Sequence, residues 1–198
     1  MNWANIYIDY ELRGLYILDK QGFTLIELVI TLVIIGILAA FALPRLSDLS
    51  EEAELAQVQG IAGALSSGVL TVKALFRSQG HSVRVQNLDG YGDGTIDTNN
   101  IGYPIGLDKC NGNENIGRNN NGCVGVWDGV LAQAPSVSHN NNNQQYRSYR
   151  HTGNKICSYV YRGSGDNGNQ NSGLLVIKYD SRDGSVVVCG QRSDLPSC

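Results

Sequence analysis

One apolar stretch near the N-terminus limits what this chain can fold into more than any other feature. Residues 23–42 form a predominantly apolar run whose one ionisable side chain is Glu27. A helix rises about 1.5 Å per residue, so a run of this length crosses the roughly 30 Å hydrocarbon core of a bilayer. The sequence therefore predicts a helix long enough to span a membrane.

A second helical pattern follows the apolar run. Apolar residues recur at alternating steps of three and four, which places them on one face of a helix. These residues are Leu55, Val58, Ala62, Leu65, Val69, Val72 and Phe76. Residues 24–76 are thus predicted to form one kinked helix of about 80 Å. One small domain cannot bury such a helix, so its first half must lie in lipid or in a bundle of copies of itself.

The remainder of the chain is polar and predicts a small sheet. Residues 78–122 are rich in Gly, Asn and Asp, which indicates a long irregular connection. Residues 155–162, 173–180 and 185–189 are rich in Val, Ile and Tyr and predict strands, with a hairpin turn over residues 180–184. The predicted fold class is α+β, a long N-terminal helix packed on an antiparallel sheet.

Charge and composition argue against several functions. The formal net charge is only −3, so no nucleic-acid partner is assigned. Residues 146–151 interleave tyrosines with arginines; we interpret them as a solvated strand edge, and the alternative is a surface that stacks on nucleic-acid bases or sugar rings. No Ser/His/Asp or Cys/His signature stands out, so the chain is not predicted to be an enzyme. All five cysteines follow residue 109, which is typical of a domain in an oxidising compartment.

The order of segments at the N-terminus carries the most specific signal. A secretory signal places its apolar stretch before the cleavage site. Here the order is reversed, because the polar residues 19–22 come before the apolar stretch. The segment GFTLIELVITLVIIGILAAFALPRL, which begins at Gly22, resembles the N-terminal signature of type IV pilins and pseudopilins. The matching features are the Gly, an aromatic residue after it, a Glu five residues past it, and an apolar run that ends in Pro44.

This resemblance implies a processing site and an assembly role. In that family a prepilin peptidase at the cytoplasmic face cuts after the Gly and methylates the new amine, here between Gly22 and Phe23. It also implies that Glu27 pairs with the Phe23 amine of a neighbouring subunit, and that the helix melts locally between Gly36 and Pro44 as the filament stretches. The alternatives are a carboxylate that snorkels near the helix end and an ordinary proline kink.

The resemblance divides the chain into four parts. They are a leader (1–22), a transmembrane or filament-core helix (23–46), an amphipathic helix of the head (47–77), and the globular head with its C-terminal disulfide loop (78–198). The leader is longer than the short basic leaders of the family. A non-ATG start at Leu18 would leave the familiar short leader Met-Asp-Lys-Gln-Gly, and both starts remain open.

The cysteines allow two disulfides and one leftover thiol. The resemblance implies that Cys189 and Cys198 close the C-terminal loop found in many pilins. Cys110 and Cys123 would staple the long connection in a similar way, which leaves Cys157 unassigned.

Part of the connection resembles a calcium-binding loop. Asp89, Asp93 and Asp97 occupy loop positions 1, 5 and 9, with a glycine at position 6. The residues at positions 3 and 12 depart from the pattern, and a plain surface turn is the alternative. A weakly bound Ca²⁺ is therefore the one candidate cofactor.

Ile101-Gly102-Tyr103-Pro104 resembles the GYP segment of mannose-sensitive haemagglutinin pilins, which implies that subtype. The resemblance as a whole implies a structural subunit with a single span in the bacterial inner membrane. The assembly machinery would polymerise copies of it into an extracellular pilus used for attachment. A pseudopilin of a type II secretion system is the nearest alternative, and a monomeric membrane-tethered binding protein is the other.

Overall fold

The computed structural model describes residues 22–107, 112–117, 121–140, 143–163 and 170–198, without the side chains of Pro44, Ser47 and Asp48. Within these ranges the elements are α1 (Leu25–Ser78), β1 (Asp97–Thr98), β2 (Pro104–Gly106), α2 (Asn121–Val130), β3 (Val137–Ser138), β4 (Tyr146–Arg150), β5 (Ile156–Tyr161), β6 (Val176–Asp180) and β7 (Val186–Cys189). The chain divides into two compact units, Met1–Arg45 and Leu46–Cys198. Most of the predicted leader lies outside the described residues.

The first unit contains the beginning of α1. The large apolar side chains of Leu25–Leu43 are exposed, and the segment is long and apolar enough to cross a membrane. Leu49–Ser78, in the second unit, also meets this criterion of length and composition, but part of it is buried. The helix continues through Pro44 without a break, so local melting between Gly36 and Pro44 stays a prediction for the filament.

The second unit buries one face of α1 against a five-stranded sheet. All seven apolar residues of the predicted face are buried, and they share one core with Tyr146, Tyr159, Ile177 and Tyr179. The strand order is β3-β4-β5-β6-β7, in which only the β3–β4 pair is parallel. The α+β class, with a long helix packed on an antiparallel sheet, is confirmed.

The last three strands lie where the sequence places them. Strands β6 and β7 are joined by a tight turn in which the Gly184 amide donates to the carbonyl of Asp180 at 2.8 Å. Gly184 has a φ of 77°, a conformation that favours glycine over any residue with a Cβ. A Cβ there would also come within 2.1 Å of the Tyr103 ring, so the turn is specified by both backbone and packing.

Helix α2 and the short strand pair β1–β2 are absent from the sequence prediction. α2 buries Cys123, Val126 and Trp127, and the Trp127 ring lies 4.5 Å from that of Tyr159. Its glycines allow close approach to the loop beside it, since a Cβ on Gly129 would come within 2.6 Å of Ile96. The helix is therefore stabilised by packing rather than by its own composition.

One predicted disulfide is present and the other is wrong. Cys189 and Cys198 are bonded, with their Cα atoms 5.2 Å apart. Cys123 is bonded to Cys157, not to Cys110, because α2 packs against the sheet and brings Cys123 within 5.6 Å (Cα to Cα) of its partner on β5. Cys110 itself lies outside the described residues.

Candidate functional site

The start of α1 is fixed by a reciprocal pair of side chains. The Thr24 amide and hydroxyl both donate to Oε2 of Glu27, at 2.8 and 2.9 Å. The Glu27 amide donates back to the Thr24 hydroxyl at 3.3 Å. The first backbone bond of the helix joins the Leu28 amide to the Thr24 carbonyl at 3.2 Å. Thr24 and Glu27 therefore form a capping box, a pattern that the sequence analysis did not identify although its T-x-x-E spacing is visible.

The predicted processing residues lie immediately before this box. Gly22 and Phe23 have neither helical nor strand conformation, and both are exposed; Phe23 has 80% of its surface accessible. The bond between them is thus held outside the helix. Further along, a Cβ on Gly36 would meet nothing within 4 Å among the described residues, so packing within this chain does not require that glycine.

The GYP segment has a structural role in the head. Tyr103 is buried and accepts a hydrogen bond from Lys73 of α1, whose Nζ lies 4.1 Å from the ring centroid. The Pro104 carbonyl accepts a hydrogen bond from the buried Tyr179 hydroxyl at 2.8 Å. Gly102 has a φ of 93° and packs directly on Phe76. The segment therefore joins α1 to the sheet.

Asn99 holds this segment in place and was missed by the sequence analysis. It is almost fully buried, and its Nδ2 donates to the Ser181 carbonyl at 2.6 Å. Its Oδ1 accepts from the amides of Ile101 and Tyr103 at 3.1 and 2.9 Å. One side chain thus closes the turn before β2 and links it to the turn after β6.

The three aspartates of the predicted calcium loop do not converge. Asp93 accepts hydrogen bonds from the hydroxyl and then the amide of Thr95, and these bonds hold the pKa of Asp93 below its usual range. Asp97 is fully buried and accepts from the Asn87 amide at 2.8 Å. Among the residues that the structure describes, no three His, Cys, Asp or Glu side chains form a metal-binding group. Asp93 and Asp97 are thus each bonded to backbone amides in this structure, and calcium binding by Asp89, Asp93 and Asp97 stays a prediction.

The C-terminal disulfide loop is tied to α1 through Arg192. Its guanidinium donates to the Glu51 carbonyl at 2.8 Å and to the carboxylates of Glu52 and Asp194 at 3.1 and 2.9 Å. Lys178 of β6 holds the other end of the loop by donating to the Cys198 carbonyl at 3.0 Å.

The outer face of the sheet carries a histidine in an unusual environment. His151 lies 2.6 Å from the hydroxyl of the buried Ser158, measured from Nε2 to Oγ. Burial and then the charge of Lys178 hold the pKa of His151 below its usual range. The neighbouring strand β4 is not a solvated edge, because Tyr146 is completely buried and β4 lies between β3 and β5.

Comparison with known proteins locates the specific part of the chain. Residues 18–43 match the family model described as the prokaryotic N-terminal methylation motif. The chain is 52% identical over 56 residues to the type IV narrow pilus major component PilA5 of Thermus thermophilus. It is 44% identical over 52 residues to a fimbrial protein of Moraxella nonliquefaciens, and 44% over 50 residues to fimbrial protein EcpC of Eikenella corrodens.

These matches are partial on both sides. They cover 27%, 26% and 25% of this chain, and 48%, 34% and 33% of the three relatives. The chain thus aligns with about half of the first relative and a third of the others. No solved structure matches the chain. The predicted methylation motif and the homology to type IV pilins are confirmed, whereas the mannose-sensitive haemagglutinin subtype is not.

Proposed function

We propose that this chain is the precursor of a structural subunit of a type IV pilus. The observation that carries the proposal is the exposed apolar helix Leu25–Leu43, which begins directly after the accessible Gly22–Phe23 bond and carries Glu27 in its first turn. The named relatives are pilus and fimbrial proteins, which supports the same assignment. No reaction of its own is assigned to the chain.

The apolar helix needs two different environments in this proposal. Before assembly it lies in the bacterial inner membrane as a single span, because an exposed apolar surface of this size is unstable in water. After assembly the same surface packs in a bundle of copies, and the head faces the medium in an extracellular filament used for attachment.

Glu27 acts in the step between these environments. A carboxylate at the centre of a bilayer costs about 2.5 to 3.5 kcal/mol on insertion scales, so it favours a position near the interface or a cationic partner. The Phe23 amine of a neighbouring copy is that partner. N-methylation, with the methyl group taken from a sulfonium donor, keeps the charge of the amine, so the ion pair survives the modification.

The partners follow from this cycle. A prepilin peptidase hydrolyses the Gly22–Phe23 bond, which leaves a carboxylate on Gly22 and the amine on Phe23, and then methylates that amine. Assembly machinery in the inner membrane moves the processed chain from the bilayer into the polymer. Further copies of the same chain complete the filament.

Mass spectrometry of filaments sheared from cells tests the proposal. The expected product begins at N-methylated Phe23, and Gly22→Ala is expected to leave mainly full-length precursor in the membrane. Gly60→Ala is the matched control, because a Cβ on this exposed helical glycine meets nothing within 4 Å in the described chain. Normal processing of Gly22→Ala would contradict the assignment of the cleavage site. Absence of the protein from sheared filaments would instead favour the secretion pseudopilus or a monomeric tethered protein.

A further inference from the structure

The capping box lies next to the bond that is to be cut, and its hydrogen bonds decide where α1 begins. In a helix without a cap, the Glu27 amide would bond the carbonyl four residues earlier, that of Phe23. Here the Glu27 amide goes to the Thr24 hydroxyl instead, at 3.3 Å. The box thus removes the donor that would draw Phe23 into the helix.

The same reasoning extends one residue further back. If Phe23 joined the helix, the next amide in line, that of Ile26, would reach the carbonyl of Gly22. That carbonyl belongs to the bond to be cut, and a helical hydrogen bond would tie it to the backbone. The tendency of the helix to extend towards Gly22 is strong near a membrane, because backbone amides that lack water must find other hydrogen-bond acceptors. Among the carbonyls that the structure describes, α1, which begins at Leu25, uses that of Thr24 and those after it.

We propose that Thr24 is a positioning residue for processing: by capping α1 together with Glu27, it keeps the Gly22–Phe23 bond outside the helix, in accessible backbone for the peptidase. The inference rests on the proposed cleavage site. It gives Glu27 a second role, within its own chain, that is separate from its ion pair with a neighbouring subunit. Both hydrogen bonds from Thr24 go to Oε2 of Glu27. Oε1 therefore offers its lone pairs to a further donor, such as the amine of a neighbouring subunit.

The test is the rate of cleavage of the full-length precursor in detergent by prepilin peptidase. Thr24→Val keeps the shape of the side chain but lacks the hydroxyl, and an N-cap loss of the usual size lowers the ratio of capped to uncapped helix about fivefold. The cap controls how much substrate is presentable, so KM is expected to rise, by at most about fivefold, with kcat unchanged. Thr24→Ser is expected to restore the wild-type KM. Thr31→Val is the matched control, because the Thr31 hydroxyl bonds only one turn back, to the Leu28 carbonyl.

A second pair of variants separates capping from direct recognition of Thr24 by the peptidase. Glu27→Ala removes the other half of the box and is expected to raise KM as much as Thr24→Val does. The double variant, Thr24→Val with Glu27→Ala, is expected to raise KM no further than either single variant. Glu27→Gln keeps an acceptor at this position and is expected to recover most of that loss. Amide NMR of the Thr24→Val precursor in micelles is expected to show Gly22 and Phe23 becoming helical.

The outcomes distinguish this inference from the proposed function. If wild-type precursor is not cut between Gly22 and Phe23, the proposed function fails. If wild type is cut there but Thr24→Val has an unchanged KM, only the capping inference fails. A raised KM for Thr24→Val together with a wild-type KM for Glu27→Ala would also overturn the capping inference, because direct contact between Thr24 and the peptidase would then explain the raised KM.

Discussion

Replacing Asn99 with alanine is expected to destabilise the head more than the same change at its exposed neighbour Asn100. The substitution removes the donor to the Ser181 carbonyl and the acceptor for the Tyr103 amide. Both hydrogen bonds are buried, and each group left unsatisfied costs about 1 to 3 kcal/mol. The expected loss in the free energy of unfolding is therefore about 2 to 6 kcal/mol.

Thermal unfolding of the head, Leu46–Cys198, is the assay. For a domain of this size each kcal/mol lowers the Tm by about 2 to 4 °C, so a loss near 3 kcal/mol gives about 6 to 12 °C. Asn100→Ala is the matched control, because Asn100 is exposed and a surface change is expected within about 0.5 kcal/mol. If the two variants melt together, the turn does not depend on Asn99 and the reasoning is refuted.

Three further predictions concern assembly, pH and calcium. Glu27→Ala subunits are expected to be processed at steady state but poorly incorporated when co-expressed with wild type; equal ratios in sheared filaments, measured by mass spectrometry, would remove the assembly role. The lowered pKa of His151 means that the unfolded chain takes up a proton below about pH 6.5 more readily than the folded head. The free energy of unfolding is therefore expected to fall as pH drops from about 6.5 towards the lowered pKa, and denaturant titrations of His151→Gln should lack this slope. The predicted calcium loop is expected to raise the Tm of the head in millimolar Ca²⁺, and Asp93→Ala is expected to abolish the rise; equal melting temperatures with Ca²⁺ and with chelator would leave the segment a plain surface turn.

Patterns within single elements predicted the fold where one element contributed many residues. The spacing from Leu55 to Phe76 identified the buried face of α1, because seven positions repeat with the helical period. Strands β5 to β7 were predicted since each is dense in apolar residues and a turn joins the last two. Local signals were enough in these cases.

The rest depends on contacts that no local pattern records. α2 contains three glycines, and its stability comes from Trp127 and from packing against distant segments. Missing this helix made the Cys123–Cys157 bond unpredictable, because α2 brings these two cysteines together. The three-carboxylate site stays a prediction for a related reason: even spacing of carboxylates does not fix their direction, and Asp97 points to the Asn87 amide.

The contact of Arg192 with the start of the head helix also has a consequence for synthesis. Arg192 and Glu52 are separated by 140 positions in the chain. During translation the helix emerges early, whereas its tie to the C-terminal loop can form only when almost the whole protein has left the ribosome. Contacts of such long range close late in folding, because the entropy of the intervening loop must be overcome first. A chain truncated before Arg192 therefore contains the whole apolar helix but lacks the contact that holds the first turns of the head.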